Sequence, residues 1–408
     1  MQSVKKLVAA ALSAQMLLAA IPCVPASAYT LNTPTPEQIR EFYNSNPFTF
    51  DTAAYAAYPV TKSPYEIGRL SDACMQNGLH ALNFVRFVAG LPADVTINDK
   101  YCELTQASSL VNAVNNKLSH YPTQPADMDN TLFQLAASGA MQSNIARGYH
   151  NLPASIIGYV EDSDDSNMDV VGHRRWMLNP AMQQTGFGMA GDYSAVYSVD
   201  RSRAERFEGD YVCWPAQNMP YELYDVSDRY AFSVSLSLDY INSSWENVTV
   251  DVSSKKLGKT YHLDTSDNQS FDYYFAVNDQ NYGSGLCLIF SAGVMFDVDD
   301  TVSVKIDGLT KNKKPASISY DVNFFYLDEN TASKTTETTE DPNVIRSILG
   351  DINLDGQLTI ADAVIVSRLA SEEEGLIPHP AYAIFADCTQ DSVLDARDVF
   401  YILKRLKV

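Results

Sequence analysis

Oxygen-bearing side chains recur in one order near the carboxyl end of this 408-residue chain. Asp351, Asn353, Asp355, Thr359 and Asp362 take positions 1, 3, 5, 9 and 12 of a short stretch, with the Gln357 carbonyl at position 7. The order returns in Asp387, Thr389, Asp391, Asp395 and Asp398, with Val393 at position 7. Such spacing wraps one chain around a calcium ion, so the duplication predicts two bound ions. Gly356 suits the sharp turn at position 6, where the second copy has Ser392. Without metal each loop crowds carboxylates that repel one another. Calcium would remove that repulsion and supply folding free energy.

Other reaction chemistries leave no comparable mark. The sequence contains no Walker loop, no Gly-x-Ser-x-Gly elbow and no Cys-x-x-Cys pair. Acidic residues are plentiful, yet nothing singles out the opposed pair that a glycosidase needs. The formal net charge of −21, from 50 acidic and 29 basic residues, repels phosphate backbones and anionic lipid. A nucleic-acid partner is therefore not expected. His80, His150, His262 and His379 stand without ligand spacing and read as structural or solvated.

The elements that must position these groups divide the chain into several parts. Lys5 and Lys6 precede an apolar run from Leu7 to Ile21, and Pro25-Ala26-Ser27-Ala28 supplies a small-residue cleavage site. Residues 1–28 are thus expected to be a secretory signal peptide, with Tyr29 as the mature start and no transmembrane segment afterwards. Cysteine is sparse for an exported chain. Loss of Cys23 leaves Cys74, Cys102, Cys213, Cys287 and Cys388, which is not a disulfide framework; Cys74 and Cys102 fall near predicted helices of one domain, where a pair could form.

Residues 29–70 read as a lead-in with one helix after Thr35-Pro36. Residues 71–225 begin with helical periodicity (Leu79, Leu82, Phe87, then Leu104, Ala107, Leu110, Val111, Val114) and end in strands near 186–199. Helices followed by strands imply an α/β layered sandwich. Residues 226–327 alternate with period two, as in Val248-Thr-Val-Asp-Val and Val302-Ser-Val-Lys-Ile, and predict a small immunoglobulin-like β-sandwich. Residues 328–343 lack large apolar side chains, so 328–345 reads as a flexible linker to the final unit, 346–408.

Two family resemblances refine this picture. The loop–helix duplication resembles type I dockerins, small α-helical calcium-binding modules that attach bacterial enzymes to cohesins of a cellulosome scaffold. It departs from an EF-hand in having Asp at position 12 and, in the first copy, Gly350 where an entering helix would be. The resemblance implies cohesin contacts at Ile360, Ala361 and Arg368, and at Ala396, Arg397 and Lys404. Upstream, ALNFVRFVAGLP (81–92), LSHYPTQP (118–125), SNIARG (143–148) and VGHRRWMLNPAMQQTGFGMA (171–190) resemble bacterial members of the CAP superfamily, the SCP-like extracellular domains. That family forms an α-β-α sandwich.

The CAP resemblance implies a cavity holding two histidines and two acidic residues, sometimes with zinc. His120 and His173 match the histidine positions. Glu161 is the leading match for one acidic position, beside Asp162, Asp164, Asp165 and Asp169. The usual Gly-Glu-Asn appears as Gln142-Ser143-Asn144, so a serine replaces the other carboxylate. Together the resemblances imply a secreted, cohesin-docked component of a polysaccharide-degrading complex. Its CAP-like domain would bind a wall, protein or lipid ligand, or would act as a hydrolase through His120, His173 and Glu161.

Overall fold

The computed structural model describes residues 28–162, 167–224, 230–242, 245–267, 273–298 and 300–327, and near the carboxyl end 363, 366–367, 388 and 396–405. The expected signal peptide, the 328–345 linker and most of both calcium loops lie outside the described residues. The chain divides into two compact units, Met1–Glu329 and Asn330–Val408.

The lead-in is integral to the first unit. Helix α1 (Pro36–Ser45) starts where Thr35 closes a capping box with Gln38, as the Thr-Pro sequence predicts. Its Arg40 donates to the Tyr326 carbonyl, and the Tyr29 hydroxyl donates to Pro180 at 2.6 Å.

Helices α2 (Asp72–Val88) and α3 (Asp99–Asn115) carry the expected apolar periodicities, and α4 (Asn130–Met141) follows them. Strand β1 (Ser143–Arg147) follows, then α5 (Leu152–Glu161) and the short α6 (Gly172–Met177). Strands β2 (Phe187–Ala190) and β3 (Tyr193–Tyr197) form an antiparallel sheet with β1 in the order β1-β3-β2. Side chains of α2 and α5 share a core with Phe187, Met189 and Val196. Helix α3 lies against β2, where Gln106 donates to Met189 at 2.6 Å and Ser109 to Gly188 at 3.0 Å. A Cβ on Gly188 would meet Gln106 backbone nitrogen at 2.3 Å, so glycine is what allows this approach.

The motif residues Asn83 and Arg86 are structural. Asn83 exchanges two 3.1 Å hydrogen bonds with the Val95 main chain. Buried Arg86 donates to Pro92, Met177 and Asn179 carbonyls, and burial lowers its pKa to about 10.

The β-layer begins before the expected boundary at 225. Strand β4 (Tyr211–Trp214) pairs with β6 (Phe232–Leu236), and β5 (Asn218–Pro220) pairs in parallel with the last strand of the unit. The remaining strands are β7 (Thr249–Ser254), β8 (Lys259–Leu263), β9 (Tyr274–Asn278), β10 (Cys287–Ser291), β11 (Thr301–Lys311) and β12 (Lys314–Phe325). One sheet has the order β4-β6-β10-β9 and the other β5-β12-β11-β7-β8. Their alternating apolar faces join the helical core in one continuous cluster that includes Leu82, Val234, Phe290 and Val304. Cys74 and Cys102, whose pairing the sequence left open, are both free; Cys102 Sγ lies 3.7 Å from Met75 Sδ.

In the second unit, helix α7 (Ala396–Arg405) follows the second loop as expected. Asp398 and Ile402 are buried, while Ala396, Arg397, Phe400 and Lys404 are exposed.

Candidate functional site

The site grows from the ends of helices α3, α4 and α5 and the start of α6 inside the first unit. Helix α3 stops at Asn116, whose left-handed conformation (φ 47°) turns the chain into the 118–123 loop. Asn112 holds that loop by accepting from Ser119 N–H at 2.7 Å, and Asn115 donates to Thr123 at 2.8 Å. The next residue, His120, directs Nδ1 to the Ala140 carbonyl at 2.7 Å, near the end of α4. Because a carbonyl only accepts, Nδ1 carries the proton and Nε2 keeps its lone pair.

His173 stands near the start of α6. Its Nδ1 lies 2.8 Å from Asp162 Oδ1, and Asp162 Oδ2 accepts from Arg174 N–H at 3.1 Å. The Asp162 side chain is 1% exposed and that of His173 21%, so their hydrogen bond is shielded while the ring keeps an outlet. Asn144 fixes the same turn by donating to the His173 carbonyl at 2.9 Å. The Tyr159 ring lies 5.4 Å from the imidazole, centre to centre.

Backbone strain collects here. Asp162 caps α5 in the left-handed region (φ 45°), and buried Val171 precedes α6 at φ 39°. A β-branched residue at positive φ is a costly exception, of order 1–3 kcal/mol, and persists only where surrounding structure imposes it.

Electrostatics favour a neutral His120 ring. Burial is the largest cause lowering the His120 pKa, opposed by the Ala140 carbonyl and reinforced by positive charge on His173. Burial likewise pushes the Tyr197 phenol up to about 12, and its hydroxyl donates to Gln142 at 2.9 Å.

Among the sequence-derived candidates, His120 closes on the Ala140 carbonyl and His173 on a carboxylate. The carboxylate on His173 is that of Asp162, one residue beyond Glu161, whose backbone carbonyl receives an Arg174 hydrogen bond. Ser143, where the resemblance implies a glutamate, is buried, and its hydroxyl has no hydrogen-bond partner among the described residues. No group of three or more His, Cys, Asp or Glu side chains placed to hold a metal occurs among the described residues. His80 caps the Pro47 carbonyl at 2.9 Å and His262 meets Asp251 at 2.6 Å, both on the surface. Of the expected calcium ligands only Asp398 is described, and of the expected cohesin contacts Ala396, Arg397 and Lys404 are, with Ile360, Ala361 and Arg368 outside.

Sequence reasoning missed the roles of Asp162 and of the two arginines after His173. Both arginines are buried, a placement that a charged dipeptide beside a turn does not advertise.

No curated protein and no solved structure matches the chain. Residues 79–202, the segment carrying His120, Asp162 and His173, match the family model described as CAP, the Cysteine-rich secretory protein family.

Proposed function

We propose that this chain is an exported component of an extracellular polysaccharide-degrading complex, with a CAP domain that binds a wall, protein or lipid ligand at His120 and His173. The observation that carries the site is the matched state of its two rings. Each Nδ1 is held, that of His120 by Ala140 and that of His173 by Asp162, which fixes the orientation of both rings. Attachment rests on the repeated calcium loops at 351–362 and 387–398, read as a dockerin that meets a cohesin. The β-layer is read as an immunoglobulin-type sandwich.

Zinc fits these histidines in donor type and outer-shell support, but no group of three His, Cys, Asp or Glu placed to hold a metal occurs among the described residues. Such an ion would complete its shell with solvent or ligand and would act there as a Lewis acid.

A second reading, hydrolase action, is favoured by one observation. A buried carboxylate on Nδ1 is the arrangement that orients a histidine as general base, with Asp162 in the part expected of Glu161. In this reading Asp162 would hold the His173 ring and stabilise its charged form while His173 serves as the base.

The test compares the full mature chain with a His120→Ala/His173→Ala double variant on insoluble wall polysaccharide, casein and neutral lipid vesicles. Binding to one probe that drops at least about tenfold in the variant supports the site. Turnover lost with it supports the hydrolase. Equal binding and equal turnover by both proteins on every probe would remove the pair from function.

A further inference from the structure

The side chain of Arg174 connects the histidine site to the β-layer. It is 1% exposed, and its guanidinium satisfies acceptors on both sides. Nε donates to Val160 at 2.6 Å and Nη2 to Glu161, the last two carbonyls of α5. Nη1 donates to Ala231 at 2.7 Å and to Ser233 Oγ at 3.1 Å, at the start of β6. The helix C-terminus is where orphan carbonyls and the negative end of the dipole attract a cation.

Asp162 follows directly after those two carbonyls. Its left-handed backbone points the carboxylate at His173 Nδ1 and at the Arg174 N–H. Arg174 thus grips the main chain leading into Asp162 with its side chain and the carboxylate itself with its backbone. Movement of the 231–233 segment would carry through one planar, four-acceptor group to the carboxylate that orients the imidazole.

Arg175 provides the contrast. It donates to Asn278 Oδ1 at 2.7 Å, Gln280 O at 2.5 Å and Gly285 O at 2.7 Å, all in the β-layer. None of these bonds reaches α5 or Asp162.

We propose that Arg174 is the positioning residue of the His173–Asp162 pair, and that the β6 end at Ala231 and Ser233 completes the CAP site from outside the CAP segment. The inference rests on the reading of His173 as a functional group. Through it the β-layer fixes the orientation of one imidazole. Lysine cannot replace this arginine, because a single ammonium has neither the planar fork nor the reach for four acceptors.

The experiment records side-chain nitrogen NMR shifts of His173 in the full mature chain near neutral pH. These shifts report which ring nitrogen carries the proton. Wild type should show the Nδ1–H form, and Asp162→Ala should move the ring toward the Nε2–H form that imidazole favours in water. Arg174→Lys should move it the same way, Ser233→Ala less far, and Arg175→Lys not at all. Ser233→Ala removes only a hydroxyl, so it keeps the test valid should Arg174→Lys not fold. If Asp162→Ala shifts the signal while neither Arg174→Lys nor Ser233→Ala does, Arg174 is only a staple between layers. An equal shift in Arg175→Lys would also overturn the assignment, as general loosening. No shift even in Asp162→Ala would instead defeat the reading of the His173–Asp162 pair itself.

Discussion

At the scale of single residues, the usefulness of His120 depends on its staying uncharged. Its pKa is lowered chiefly by burial, so the native state disfavours the imidazolium that the unfolded chain forms readily. The unfolded chain then binds the proton first as pH falls below the ordinary histidine value of about 6.5. Stability linked to neutral His120 is full above that value and is lost as pH drops toward the lower folded value. Melting temperature should fall more steeply with acid in wild type than in His120→Gln, measured from about pH 7.5 to about pH 5. Parallel slopes would show that the ring titrates as if in water. The sequence singled out His120 and His173 but not the carboxylate that meets His173. The acidic run after Val160 stood out, but choosing between Glu161 and Asp162 requires knowing where α5 stops. The helix ends at Glu161, and the left-handed turn at Asp162 aims its side chain inward. Such a phase is set by packing, through Arg174, and leaves no local signature.

At the scale of elements, the helix–sheet contact at β2 sets the frame that His120 and His173 share. Thr105 and Gln106 of α3 approach Gly188 so closely that an added Cβ would fall 2.3 Å from main-chain atoms. Backbone cannot rotate away as a side-chain tip can, so α3 or β2 must shift. Gly188→Ala should destabilise the first unit by about 1–3 kcal/mol, the usual cost of overpacking. Chemical denaturation checks this, and a midpoint equal to wild type would show that the approach is looser than drawn. Local patterns foretold the long elements well: the capping Thr35, the periodicity of α2 and α3, and the alternation of β6, β7, β11 and β12. They missed β4 and β5, which are only a few residues long. Those strands exist because distant partners, Ser233 to Leu236 for one and Asn323 to Phe325 for the other, supply their hydrogen bonds. Non-local pairing of that kind is invisible to a window of neighbouring residues.

At the scale of the whole molecule, the acidic excess and the repeated loops point to one dependence, that on calcium. A chain with net charge −21 gains from any divalent cation it can neutralise against, but only ordered oxygen cages do so with fixed stoichiometry. Asp398, at position 12 of the second loop, is buried with Ile402 on one face of α7, consistent with a carboxylate turned inward. Calorimetry of the metal-stripped mature chain should find two calcium ions bound, with a gain in helical circular dichroism. Asp355→Ala with Asp391→Ala should abolish both signals, since each substitution removes a charged ligand from the middle of one loop. Asp297→Ala with Asp307→Ala, which removes two carboxylates that ion-pair with Lys256 and Lys305 in the β-layer, should leave the stoichiometry at two. Weak heats without saturation, equal in all three proteins, would mean that the acidic surface merely collects cations, and the attachment of the CAP domain to a scaffold would lose its basis.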